Sequence, residues 1–227
     1  MVIKDVELVG FIQVTKTDAL LIIDMQNDFL PGGQLPVDEG DEIILGINSI
    51  ASYFHQINNP IVFTQDWHPP DHESFASVHQ GKNPYDSYEV PGIGPILWPD
   101  HCIQGTDGAK LAPGLAYVGV ANLILQKGYN KHIDSYSAFL DNDKVTDTGL
   151  RTYLESENIK RVFLCGLALD YCVNYTAIDA RKYADLDVVV IFDLAKPVNS
   201  PEDSLSNALK NMKENGVKFA SSEQILK

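Results

Sequence analysis

ALLIID, residues 19–24, is a continuous apolar run that stops at an aspartate. A run this short, with no polar alternation, reads as a strand buried on both faces, the pattern of a parallel sheet. Downstream, Ile43, Ile47, Ile50 and Phe54 recur at helical spacing, so residues 41–57 read as a helix with one buried stripe. The pattern then repeats. PIVFTQ (60–65), NLILQK (122–127), RVFLCG (161–166) and VVVIFD (188–193) read as further strands, with helices over 148–157, 170–184 and 201–215. In the last helix Ser200 reads as N-cap, Pro201 as N1 and Asp203 as N3, with Gly216 as the stop. Such alternation predicts an α/β fold: one parallel β-sheet with helices on both faces, a Rossmann-like three-layer α/β/α arrangement with right-handed crossovers.

A length of 227 residues fits one such domain. Residues 18–227 are read as that domain, and residues 1–17 as an N-terminal extension, either a tail or an edge strand. With 44% hydrophobic and 21% charged residues, intrinsic disorder and fibrous repeats are excluded. Seventeen Lys and Arg against 31 Asp and Glu give a formal charge of -14, which disfavours nucleic acid and anionic membrane surfaces as partners and points to a small molecule. The start, MVIKDVELVGFIQVTKT, lacks the unbroken apolar core of a signal peptide, and no run approaches the ~18 apolar residues of a membrane span. Cys102, Cys165 and Cys172 cannot all pair and match no zinc-ribbon or CxxC spacing, so they read as free thiols and the expected location is the cytoplasm.

In open α/β sheets ligands bind beyond the carboxyl ends of the strands. Asp24, Asp66, Lys127 and the segment after Gly166 all fall there, and the long stretch 66–121, rich in Pro, Gly and His, has the length of a functional loop. No Walker A, GxGxxG or GxSxG follows any strand, so neither nucleotide nor serine-hydrolase chemistry is supported. Cys172, at the start of the helix after 161–166, sits where unpaired N–H groups favour a thiolate; alternatively it is a small hydrophobe packing helix on sheet, which is also the reading of Cys165. Asp24 reads as a base or as a loop-ordering acceptor, and Lys127 ends an apolar strand, where a cation needs a partner. Acid, lysine and thiol at neighbouring strand ends would supply base, charge stabiliser and nucleophile. Asp66 and His68, with His101 downstream, could form an open catalytic metal site; His72 and His79 are further candidates, and any one of these histidines could equally be an ordinary hydrogen-bonded loop residue. Phe29, Trp67, Trp98, Tyr136 and Tyr171 could wall a flat pocket or simply fill the core.

Five blocks then carry a family resemblance: DMQNDF (24–29), QDWHPPDHESFAS (65–77), WPDHCIQGTDGA (98–109), KGYNKHIDSYSAF (127–139) and GLALDYCVNYTAIDA (166–180). In this order and spacing the chain resembles the nicotinamidases of the isochorismatase-like cysteine hydrolase superfamily, from residue 18 to about residue 220. The resemblance implies a catalytic triad of Asp24, Lys127 and Cys172 and metal ligands Asp66, His68 and His101 for one divalent transition ion, zinc foremost, with iron or manganese as alternatives. It further implies a cis peptide between Leu167 and Ala168, an oxyanion hole from the backbone N–H groups of Ala168 and Cys172, and aromatic contacts to the substrate ring from Phe29 and Trp98; Tyr136 and Tyr171 are added as substrate-wall residues from the reading of the aromatics alone. The implied reaction is hydrolysis of nicotinamide, with pyrazinamide as a further substrate, to acid and ammonia through a thioester. The extension leaves homo-oligomeric contacts open. Two alternatives accompany this expectation: a superfamily amidase for a carbamoyl or ureido substrate, disfavoured by His68 and His101, and a non-catalytic thiol redox or binding module.

Overall fold

The structure is a computed structural model and describes residues 6–226. Strands β1 (Asp18–Ile23), β2 (Ile61–Asp66), β3 (Leu123–Lys127), β4 (Arg161–Leu167), β5 (Asp187–Lys196) and β6 (Lys218–Ala220) pair in the order β3-β2-β1-β4-β5-β6, and every pairing is parallel. Each side chain of β1 and β2 is buried, as expected of non-alternating apolar runs. The helices are α1 (Ile44–Gln56), α2 (Leu150–Ser156), α3 (Asn174–Lys182) and α4 (Ser204–Glu214). Strand order reverses at β1, so right-handed crossovers put α1 on the face opposite the helices that follow β3. Ile47, Ile50 and Phe54 form the buried stripe of α1, and Phe54 meets Phe163 of β4 edge-on at 5.4 Å. No helix among the described residues is long and apolar enough to cross a membrane.

The reversal is a topological switch point, with a crevice between the carboxyl ends of β1 and β4. Asp24 leaves β1 there and the 167–173 segment leaves β4. Gly166 makes the close approach between them: its φ is +106°, and a Cβ would stand 2.1 Å from the Ile23 carbonyl oxygen. The Leu167–Ala168 peptide is cis, as the resemblance implies.

Several local expectations change. Residues 170–184 are not one α-helix: Leu169–Val173 is a π-turn and α3 starts at Asn174, so Cys172 precedes the α-helix. Ser200 and Pro201 do not open α4, which starts at Ser204 after Asp203. The reason is tertiary: the Asp170 carboxylate accepts the N–H groups of Val198 and Asn199 (2.9 and 2.8 Å) and the Ser204 hydroxyl (2.6 Å), holding the loop clear of the helix. β6 is too short to be seen as an apolar run. Leu8 forms an isolated parallel bridge to Phe219 of β6, and the Ile12 N–H donates to Gln224 O beyond it, so this part of the extension lies along the sheet edge without forming a strand. Residues 1–5 of the expected extension and Lys227 of the expected domain lie outside the described residues.

Candidate active site

Asp24, Lys127 and Cys172 converge beyond the strand ends and are 0%, 0% and 6% exposed. Lys127 Nζ is 2.9 Å from Asp24 Oδ2 and 3.6 Å from Cys172 Sγ, donates to the Ser135 carbonyl at 2.8 Å, and forms a still shorter ion pair with Asp66 Oδ1. One ammonium thus sits between two carboxylates and a thiol.

The electrostatics follow from burial and that pairing. Burial works against the Lys127 ammonium, but Asp24 and Asp66 outweigh it and hold the group well above the usual lysine range. Burial also raises the Asp24 carboxyl, and the pull of Lys127 does not fully offset it. Asp66 goes the other way: against burial, Lys127 and the facing imidazoles keep it below the usual carboxylate range. The Cys172 thiol is pushed well up by burial despite Lys127. Burial thus works against the thiolate that the start of a helix was expected to favour, which calls for a base beside the thiol.

Beside this centre, Nε2 of His68 and Nε2 of His101 each lie 3.8 Å from Asp66 Oδ2. His68 Nδ1 bonds the Gly128 carbonyl at 2.9 Å and His101 Nδ1 bonds that of Pro99 at 2.8 Å. A proton on each Nδ1 serves those carbonyls, which leaves both Nε2 atoms turned to the carboxylate, as in histidines that bind a metal. Two imidazoles and a carboxylate, all buried and mutually within 4.8 Å, suit a divalent ion with open coordination positions. Gly128 permits this packing, since a Cβ there would stand 2.5 Å from the His68 ring. Burial and the neighbouring His68 push His101 down to about 4, whereas for His68 burial is outweighed by Asp66 and the net direction is up.

The aromatic residues line the same region. Phe29 lies against His101 at 5.4 Å; Trp98 meets Tyr171 edge-on at 4.7 Å and donates from Nε1 to the Tyr136 hydroxyl at 2.9 Å. Tyr171 is anchored by its hydroxyl to the Ser200 carbonyl at 2.7 Å. Ala168 precedes the π-turn, and its carbonyl accepts the N–H groups of Tyr171 and Val173. His72 is buried against His68, with ring centroids 4.3 Å apart, in a group of donors that shares His68 with the first. His79 is elsewhere, packed on Tyr88 and bonded to the Glu73 carbonyl. Trp67 stays at the margin of the core, and Cys165 is buried in β4. Cys102 is buried next to His101, its N–H held by Asp28 Oδ2 at 2.7 Å. A groove of about 730 Å³ between Val6–Val9 and α4 and another of similar size behind Tyr171 are lined by neither Asp24, Lys127 nor Cys172.

Sequence reading missed the residues that brace these groups. Gln26 clasps the backbone of Asp66, accepting its N–H and donating to its carbonyl, both at 2.8 Å. The Thr64 hydroxyl bonds Asp24 Oδ1 at 2.5 Å. The available signal was a lone threonine inside the apolar run PIVFTQ.

The chain is similar to known proteins over most of its length. The isochorismatase domain family matches residues 18–224. A nicotinamidase of Acinetobacter baylyi is 46% identical over 208 residues, covering 92% of this chain and 94% of that protein. The crystal structure of PnC1 from L. infantum in complex with nicotinate superposes with a TM-score of 0.80 at 38% identity, covering 95% of this chain and 98% of that one. The pyrazinamidase of Pyrococcus horikoshii in complex with zinc gives a TM-score of 0.72 at 36% identity, covering 90% and 99%.

Proposed function

The chain belongs to the isochorismatase domain family, and from that premise we propose that it is a nicotinamidase, hydrolysing nicotinamide to nicotinate and ammonia through a thioester on Cys172. The observation that carries the reading is the buried convergence of Asp24, Lys127 and Cys172 beside Asp66, His68 and His101. Residues 18–227 form the hydrolase domain in this reading and residues 1–17 its extension.

Asp24 Oδ2 takes the Sγ proton of Cys172, an assignment that fits a carboxyl whose proton affinity burial has raised. The Lys127 ammonium lowers the cost of the thiolate as it forms. The sulfur attacks the carboxamide carbon, and the N–H groups of Ala168 and Cys172 receive the oxyanion. Collapse breaks the C–N bond, and the Asp24 proton leaves with ammonia. A water then attacks the thioester, yielding one proton to Asp24; the acid departs and Cys172 recovers its proton.

Asp66, His68 and His101 would hold one divalent ion, with zinc, iron or manganese suited to the donors. Bound there, the ion supplies a Lewis-acid position able to hold a pyridine nitrogen. Phe29, Trp98, Tyr136 and Tyr171 offer apolar faces to the ring, so the carboxamide is oriented toward Cys172. A ring with a carboxamide and one nitrogen meets these demands, and pyrazinamide meets them equally. Ammonia release from nicotinamide by the purified protein, with metal analysis of the same sample, tests the proposal; no release above a Cys172→Ala control overturns it.

A further inference from the structure

We propose that Thr64 is the positioning residue for the base: its hydroxyl selects which oxygen of Asp24 faces the thiol. The inference rests on the reading of Asp24 as the group that deprotonates Cys172.

Thr64 is fully buried in β2, next to the end of β1, where Asp24 turns out of the sheet with φ +44°. The two residues bond reciprocally. The Asp24 backbone N–H donates to Thr64 Oγ1 at 3.0 Å, and Thr64 Oγ1 donates to Asp24 Oδ1 at 2.5 Å. A hydroxyl has one hydrogen. With its oxygen already accepting from the Asp24 N–H, that hydrogen is directed at Oδ1, and rotation of the carboxylate is blocked. Oδ2 is thereby turned to the Lys127 ammonium, its ion-pair partner at 2.9 Å, and is left outside the grip of the hydroxyl. It is the oxygen left to receive a proton. Without the hydroxyl, Lys127 could draw either oxygen, and the proton-accepting geometry toward Cys172 would be one of several.

Two substitutions separate this role from packing. Thr64→Val keeps the volume and removes the hydroxyl; Thr64→Ser keeps the hydroxyl and removes the methyl group. The substrate-independent readout is the rate of Cys172 alkylation by iodoacetamide near neutral pH, followed by mass spectrometry; kcat and KM for nicotinamide are measured on the same samples. The expected result is slower alkylation and a kcat at least ~10-fold lower in Thr64→Val at unchanged KM, with Thr64→Ser within about threefold of the wild type. A threonine that only fills space predicts the reverse order, Ser worse than Val, and that order or unchanged rates in Thr64→Val would overturn the proposal. If the wild type releases no ammonia while the alkylation order holds, the nicotinamidase reading falls and the positioning role stands.

Discussion

Lys127 and Asp66 are ion-paired in the interior, Nζ of one against Oδ1 of the other. Parallel register causes this, because Asp66 ends β2 directly opposite Lys127 at the end of β3. The same ammonium holds Asp24, so the proposed triad and the proposed metal site share one positive charge. Removing one partner of a buried pair leaves the others uncompensated, at a cost of about 3–5 kcal/mol. Lys127→Met should therefore lower unfolding stability by roughly that much, read from urea titrations, besides stopping turnover. A loss smaller than about 1 kcal/mol would show that the carboxylates do not depend on Lys127 for their charge balance.

Cys172→Ala should abolish turnover while the fold and nicotinamide binding persist, since Cys172 is the proposed nucleophile and its loss removes one small side chain. Cys102→Ala and Cys165→Ala should retain the chemistry, at a packing cost of about 1 kcal/mol each. Thermal melts and calorimetric binding beside ammonia assays distinguish these cases. A Cys172→Ala protein keeping a substantial share of wild-type kcat would take Cys172 out of the mechanism.

The sheet was legible because ALLIID and RVFLCG are apolar without alternation, which leaves few places for them other than the centre of a parallel sheet. Those two runs, as β1 and β4, also place Asp24 and the approach to Cys172 at the switch point. What remained hidden depends on contacts between residues far apart in sequence. Asp66 and Lys127 read as members of separate groups, and only the β2–β3 register sets them side by side. Thr64 and Gln26 act on partners 40 residues away, so local pattern carries no trace of their hydrogen bonds. The start of α4 was misread for the same reason: local cap signals at Ser200 and Pro201 yield to the buried Asp170 carboxylate.

Burial raises the Cys172 thiol, so the thiolate fraction at neutral pH is small and grows with pH. In the absence of substrate, iodoacetamide labelling of Cys172 should keep accelerating through pH 9 rather than reaching a plateau near pH 7, following the upward shift from the ordinary value of 9.0. Asp24→Asn keeps the shape of the side chain but cannot take a proton, so labelling near neutral pH should slow and kcat should fall at least ~10²-fold. Labelling at the wild-type rate in Asp24→Asn would mean that another group activates the thiol.

The proposed metal ligands admit two uses of a bound ion, and a substrate pair tells them apart. Benzamide has the ring and carboxamide of nicotinamide but no ring nitrogen. If Asp66, His68 and His101 serve to hold that nitrogen through the ion, chelation or His68→Ala should cut kcat/KM for nicotinamide much more than for benzamide, whose orientation rests on Phe29, Trp98, Tyr136 and Tyr171 throughout. If they serve thioester hydrolysis, both amides should lose activity alike and the acyl-enzyme should accumulate, visible as added mass on Cys172. Ring positioning is the expected outcome, because a flat ring held by apolar faces alone keeps freedom to rotate in its own plane, and one coordinate bond removes it. Equal proportional losses for the two amides would refute ring positioning, and full activity in a protein shown by metal analysis to contain no ion would refute the metal assignment of all three residues.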